Sequence, residues 1–358
     1  MSEFEWLSLA PYGMGRAEKQ AFLTRELVAL CRHHEERCPE YKRMIRSVGV
    51  DWGQVQGVAD LPFLPVRLFK DFKLRSVPEG EVYKTMTSSG TTGQQVSRIY
   101  LDRETSAAQS KVLAKIAGDF IGRARMPMII LDTDALLKNR DSFSARGAGV
   151  LGFSVFARDK LFALNERMEL DAEAIGAFLA KHEGEDLFLF GFTFIVWRHF
   201  IGELKRLGLK LDLSRAVLIH GGGWKKLTSQ AVTARRFKEA LAETCGLARV
   251  HDYYGMVEQT GTVYMECGFG RLHTPVWADV LIRRPADFSL ADEGERGLIQ
   301  VAGVLPRSYP GHILLTEDEG SVLGEDDCPC GRKGKYFAVF GRVEQAELRG
   351  CSDTYERV

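Results

Sequence analysis

The middle of the chain repeats one pattern: a short apolar run, a polar or glycine turn, then an amphipathic stretch. Met128 to Leu131 ends at Asp132, and Ala216 to Ile219 ends in His220-Gly221-Gly222-Gly223. Val250 leads in the same way into Asp252-Tyr253-Tyr254-Gly255. Helical spacing lies between these runs: a helix capped by Asp102 and running to about Ile121, then Leu170 to Lys181 and Ile195 to Leu207. A further helix is expected from a cap near Thr228 or Ser229 to Gly246. Strand, turn and helix in repetition predict an α/β fold with mostly parallel sheets and flanking helices.

The flanks differ from the middle. From Arg16 to about Val48 the pattern is helical, with Phe22, Leu23, Leu27, Leu30 and Cys31 at three-to-four spacing. Pro62 and Pro65 set an extended route, after which Val82 to Met86 and Val96 to Leu101 read as strands around a hydroxyl-rich loop. The last hundred residues carry short strands between glycine turns (Leu298 to Val304, Ile313 to Leu315, Tyr336 to Phe340). This predicts an α/β region over residues 1–270 and a smaller β-rich lobe over 271–358, or one domain spanning both.

Composition excludes several function classes. Lysine plus arginine and aspartate plus glutamate both number 48, so the basic excess of a nucleic-acid binder is missing. Arg283-Arg284 and Lys225-Lys226 read as solvated surface charge. No apolar run reaches the roughly 20 residues of a membrane span; Leu187 to Phe200 is shorter, contains Arg198 and His199, and reads as a buried element. The N-terminus lacks a basic-then-apolar signal pattern, and seven scattered cysteines suit a reducing cytoplasm.

Thr87-Ser88-Ser89-Gly90-Thr91-Thr92-Gly93 carries five hydroxyls and two glycines directly after a strand. Glycines let the backbone approach phosphate oxygens, and N–H and hydroxyl donors spread over a polyanion, so the loop reads as a phosphate cradle. It is not a P-loop, because no lysine follows the second glycine.

That loop resembles the phosphate loop of the adenylate-forming superfamily of acyl-CoA synthetases, phenylacetate-CoA ligases and adenylation domains. Three more segments follow in the superfamily's order. Tyr253-Tyr254-Gly255-Met256-Val257-Glu258 is similar to its Tyr-Gly-x-Thr-Glu motif, Leu315-Thr316-Glu317-Asp318 to its ribose-binding segment, and Gly341-Arg342 to its hinge. His220-Gly221-Gly222-Gly223-Trp224-Lys225, Cys328-Pro329-Cys330-Gly331-Arg332 and Arg349-Gly350-Cys351-Ser352-Asp353 narrow the resemblance to the LuxE-type acyl-protein synthetases.

The resemblance implies ATP-dependent activation of a carboxylic acid, a fatty acid in that family, as acyl-AMP. Ser88 to Gly93 would cradle the β- and γ-phosphates, Gly221, Gly222, Gly223 and Tyr254 would line the adenine, and Asp252 would read its edge. Asp318 would hold the ribose, Arg342 would contact ribose or phosphate, and Glu258 would bind Mg2+. The superfamily threonine is Val257 here, and Val358 ends the sequence sixteen residues after Arg342, where full-length superfamily members carry a mobile domain with a lysine. Lys225, Lys226 or Arg342 would then supply the missing charge. Cys351, in the matching tail, would accept the acyl group before an acyl-CoA reductase-type protein partner takes it. Transfer to coenzyme A, and an inactive nucleotide-binding subunit, are the alternative readings.

Cys328 and Cys330 form either a tetrahedral zinc set with Cys267 and His273, or a free-thiol turn held by Arg332. Cys31, Cys38 and Cys245 read as core cysteines. Phe190, Phe192, Phe194 and Trp197 line either an acyl tunnel or the core.

Overall fold

The computed structural model describes residues 5–88, 96–137, 145–224 and 231–343. Phe22, Leu23, Leu27, Leu30 and Cys31 are buried along one face of helix α1 (Arg16–Arg37). Pro39 has no N–H to continue that helix, so the chain restarts as α2 (Pro39–Val48) and stops at Gly49, whose φ of 70° is left-handed. The proline route gives a two-residue strand, β1 (Leu64–Pro65), and one turn of helix, α3 (Leu68–Asp71). β2 (Lys84–Thr87) and β3 (Arg98–Leu101) pair antiparallel with Thr87 opposite Arg98. Asp102 accepts a hydrogen bond from the Thr105 N–H at 2.7 Å and so caps α4 (Arg103–Ile121).

Five parallel strands follow: β4 (Met126–Thr133), β5 (Ala157–Leu164), β6 (Leu187–Phe192), β7 (Ala216–Gly221) and β8 (Arg249–Tyr254). They lie side by side in the order β5-β4-β6-β7-β8. An antiparallel half continues the same sheet through β9 (Tyr264–Glu266), β10 (Leu272–His273), β11 (Ala278–Arg283), β12 (Gly297–Gly303), β13 (Ile313–Glu325) and β14 (Lys335–Arg342). Its order is β8-β9-β10-β14-β13-β12-β11, with β1 added parallel to β13. Residue 270 lies between β9 and β10, inside this one sheet.

Helices cover both faces of the parallel half, which is why its inner strands β4, β6 and β7 are buried almost throughout rather than alternating. Met128, Ile130, Phe190 and Ile219 pack on one side with Leu27 of α1 and Val112 of α4. Ile129, Leu131, Leu189 and Leu218 pack on the other with Ile175 of α5 (Ala172–Lys181) and with Phe237 and Leu241 of the helix Ala234–Cys245. A third cluster joins Tyr41, Phe69, Met86 and Ile99 to Val301, Leu314 and Phe337, so the β2–β3 pair is seated on the antiparallel half.

The structure corrects several expectations. The helix expected from Thr228 or Ser229, which lie outside the described residues, begins at Ala234 with Thr233 as its cap and closes at Gly246 as expected. β13 does not end at Leu315 but runs 13 residues, because its polar second half is paired along β14. β5 carries no clear apolar signal, since Arg158 and Lys160 of this edge strand are exposed. Arg283 is buried rather than solvated: its guanidinium donates to Gln300 Oε1 and the Ala59 carbonyl, both at 2.7 Å, and to the Phe288 carbonyl at 3.1 Å. Within Leu187 to Phe200 the strand Leu187–Phe192 is fully buried while the helical start after it leaves Arg198 exposed, and among the described residues no helix is long and apolar enough to cross a membrane.

Candidate active site

The parallel register puts Phe192 opposite Gly221 and Gly221 opposite Tyr253, so β6, β7 and β8 end flush. The carboxyl edge of such strands is where open α/β sheets bind ligands. Gly221 is required there, because a Cβ on it would lie 2.5 Å from the Tyr253 ring. Gly222 follows with a left-handed φ of 78°, and Gly223 is exposed. Gly255 follows Tyr254 at the exposed end of β8.

Alternation along β8 sends its two tyrosines to opposite faces. Tyr253 stacks against Phe190 and packs at a tilt on Phe153 in the core. The Tyr254 hydroxyl instead donates to Asp318 Oδ2 at 2.7 Å. Asp318 on β13 is the register partner of Arg342 on β14, whose Nε lies 4.0 Å from Asp318 Oδ1. Tyr254, Asp318 and Arg342 are 64 and 24 residues apart in sequence and converge at one edge of the sheet.

The base of the hydroxyl-rich loop sits beside this trio's turn. Ser88 N–H donates to the Ser97 carbonyl at 3.2 Å, and Ser97 N–H donates to Ser88 Oγ at 3.0 Å. The Ser97 side chain hydrogen-bonds Glu258, and Thr260 Oγ1 lies 3.8 Å from Met86 Sδ of β2. Glu258 is buried on the turn Val257–Gln259. Its carboxyl pKa is raised by that burial, against the pull of Ser97, Lys70 and Arg342. Thr87 and Ser88 are therefore located; Ser89, Gly90, Thr91, Thr92, Gly93, Lys225 and Cys351 lie outside the described residues. Lys70, on α3, is a nearby cation that its sequence setting gave no reason to single out.

At the end of β8 Asp252 keeps 45% of its side-chain exposure and stands 3.6 Å from His220 Nδ1. Packing on its closed side, then the nearby Glu266 carboxylate, push its pKa up to about 8, with water on the open side moderating the shift. Glu266 Oε2 accepts from the Asp252 N–H at 3.1 Å and from Lys238 Nζ at 2.7 Å. His220 itself is buried, paired with the Thr193 hydroxyl at 2.9 Å, and held neutral down to about pH 3 by burial and then by Lys238. Glu266 and Thr193 were missed from the sequence because only strand pairing brings them to Asp252 and His220.

A second constellation lies where β9–β10 meets the turn between β13 and β14. One ligand atom from each of Cys267, His273, Cys328 and Cys330 lies within 4.8 Å of all the others. Cys267 Sγ is 3.9 Å from Cys328 Sγ, and Cys330 Sγ is 3.3 Å from His273 Nε2. Burial, followed by Arg332 and Arg271, keeps His273 neutral down to about pH 4. Arg332, the expected tether of this turn, bonds the Asp119 carboxylate at 2.7 Å and packs over Phe120. Cys31, Cys38 and Cys245 are buried, as expected. Phe190 and Phe192 belong to the core, and Trp197 stacks on Phe237.

The acyl-protein synthetase family LuxE matches residues 3–358 of this chain. The long-chain-fatty-acid–luciferin-component ligase of Vibrio harveyi is 26% identical over 345 residues, covering 94% of this chain and 88% of that protein. The ligase of the same name from Aliivibrio fischeri is 24% identical over 326 residues, covering 89% and 84%. A shorter stretch of 85 residues is 35% identical to the phenylacetate-coenzyme A ligase of Thermus thermophilus, covering 22% of this chain and 19% of that one. Among solved structures, an open conformation of 2-hydroxyisobutyryl-CoA ligase with 2-HIB-AMP and CoA superposes with a TM-score of 0.71. It covers 93% of this chain and 77% of its own at 17% identity, a likeness of fold. With the fold of adenylate-forming enzymes and a family match along its length, the chain belongs to the LuxE acyl-protein synthetases.

Proposed function

We propose that this chain is an AMP-forming acid–thiol ligase that activates a fatty acid with ATP and passes the acyl group to a protein cysteine. The observation that carries this reading is the family match over residues 3–358. The meeting of Tyr254, Asp318, Arg342 and Glu258 beside the base of the hydroxyl-rich loop agrees with it.

In the first step the carboxylate oxygen attacks the α-phosphorus of ATP, forming acyl-AMP and breaking the bond to pyrophosphate. The chemistry is mostly alignment and charge neutralisation. The Asp318 carboxylate accepts the ribose hydroxyls, with Tyr254 and Arg342 fixing its position. Asp252, its carboxyl pKa raised by burial and then by Glu266, would face the adenine edge. Ser88 to Gly93 hold the terminal phosphates, with Lys70 and Arg342 as the nearby cations and Lys225 as a further candidate to supply charge. A hard divalent cation suits the buried Glu258 carboxyl, which would hold Mg2+; the ion would supply positive charge to offset that of the phosphates. In the second step a thiolate attacks the acyl carbonyl and AMP leaves. Cys351 is the acceptor in this reading, and a reductase-type protein takes the acyl group next.

Coenzyme A as acceptor is the second reading, favoured by the 35% identical stretch shared with a phenylacetate-coenzyme A ligase. ATP–pyrophosphate exchange with short, long and aromatic acids tests the activation step, and a long-chain acid should support it best. Intact-mass measurement after ATP and acid should then find one acyl adduct, lost in Cys351→Ser. Exchange with no acid would reject the ligase. An adduct unchanged in Cys351→Ser would reject that acceptor, and acyl-CoA formed in place of any adduct would favour coenzyme A.

A further inference from the structure

The four-residue constellation beside β10 has no part in the adenylation chemistry, and its geometry is specific. Around a tetrahedral zinc, bonds of roughly 2.3 Å to sulfur and 2.0–2.1 Å to nitrogen require ligand separations of about 3.8 Å (S to S) and about 3.5 Å (S to N). The Cys267–Cys328 and Cys330–His273 separations are 3.9 and 3.3 Å. A disulfide needs about 2.0 Å between sulfurs, so these cysteines are poised around a shared centre rather than bonded.

Local backbone also suits a metal. Cys267 closes a turn in which Gly270 N–H donates to the Cys267 carbonyl at 2.9 Å, while Phe269 N–H points at Cys267 Sγ at 3.4 Å. The Cys328-Pro329-Cys330-Gly331 turn repeats this, with Gly331 N–H donating to the Cys328 carbonyl at 2.9 Å. Both turns use a glycine in the left-handed region, at φ 71° and 80°. Arg271 and Arg332 approach the sulfurs and offset the negative charge that three thiolates bring.

We propose that Cys267, His273, Cys328 and Cys330 bind one zinc ion in a closed structural site. Soft thiolates with one imidazole select zinc over calcium or magnesium, and four protein ligands leave no position for substrate or water. Binding releases the thiol protons to solvent and staples the β9–β10 turn to the β13–β14 turn. Glu266 directly precedes Cys267, and it carries the Asp252 N–H and Lys238. This inference stands apart from the ligase reading, since zinc content is measured without turnover.

Elemental analysis of the full chain, purified without chelators or a metal-binding tag, should give about one zinc per chain. X-ray absorption should show three sulfurs at about 2.3 Å and one nitrogen at about 2.0 Å. Stripping the metal should lower the melting midpoint by roughly 5–10 °C, and zinc should restore it. Cys330→Ser should lose zinc while Cys245→Ser keeps it. If Cys330→Ser fails to fold, mercurial titration of the wild type gives the same answer by releasing one zinc as the thiols react. No stoichiometric zinc after growth and reconstitution with zinc would overturn the proposal. So would a Cys267–Cys328 disulfide in peptide maps, a spectrum of oxygen and nitrogen ligands alone, or a midpoint indifferent to the metal.

Discussion

Asp318 makes the sharpest claim at the scale of one residue. Its carboxylate accepts from Tyr254 and faces Arg342, so Asp318→Ala removes a charge-assisted hydrogen bond and leaves two donors without an acceptor. Such bonds contribute ~1.5–3 kcal/mol. In the proposed site the substitution also removes the acceptor for the ribose hydroxyls, so ATP–pyrophosphate exchange should show kcat/KM for ATP falling ~10–100-fold, and the unpaired Tyr254 hydroxyl should lower the melting midpoint by a few degrees, about what such a bond contributes. Asp252 predicts a pH effect. Its folded pKa of about 8 lies above its unfolded value, so the native state holds a proton that the unfolded chain gives up near pH 4. Stability from this group is therefore full below pH 4 and lost as pH rises toward 8. Melting of Asp252→Asn should match the wild type at pH 4 and exceed it increasingly up to pH 8. Equal curves at every pH would contradict the raised pKa.

Among elements, the turn carrying Glu258 is fixed by its contact with α4. Gly261 has a φ of 88°, and a Cβ there would lie 2.6 Å from the Gln109 Cα of that helix. Neither the left-handed φ nor a backbone neighbour yields easily, so Gly261→Ala should cost ~2–4 kcal/mol by urea denaturation. Asp102→Ala, which only uncaps α4, should cost about 1 kcal/mol. A reversed order would mean that α4 is held by its cap rather than by this packing.

Across the whole molecule, buried histidines set the acid limit. His220 and His312 stay neutral to about pH 3, chiefly through burial, and His34 is likewise lowered by burial and by its neighbour His312. His34 Nε2–H donates to the Pro306 carbonyl and its Nδ1 accepts from Ser76, which fixes one neutral tautomer. An unfolded histidine binds its proton near pH 6.5, so the unfolded state is favoured as pH falls from about 6.5 toward 3. Each such histidine steepens the loss by up to ~1.4 kcal/mol per pH unit. Urea denaturation at pH 7, 6 and 5 should show this slope, and His220→Gln should reduce it. A slope between pH 7 and 5 that His220→Gln leaves unchanged would refute the assignment.

Local pattern alone determined much of this chain. The Asp102 cap, the apolar runs of β4, β6 and β7, the helical character of the stretch from Arg16 to about Val48 and the four ordered motifs are short-range signals, because propensity, capping and strand burial act over a few residues. Long-range partnerships were decided by tertiary structure. Arg283 looked solvated until strand pairing and the Ala59 loop enclosed it, and β5 was hidden by its exposed charges at the sheet edge. The link from Tyr254 through Asp318 to Arg342 exists because β8 and β13 approach across the sheet and β13 pairs with β14 so that Asp318 faces Arg342. Likewise Cys267 and His273 were candidates for a set with Cys328 and Cys330, and only the antiparallel pairing of β10 with β14 brings those two turns together. Sequence names the residue types a site needs; the distance between them follows from which strands pair and in what register, and no local interaction encodes that.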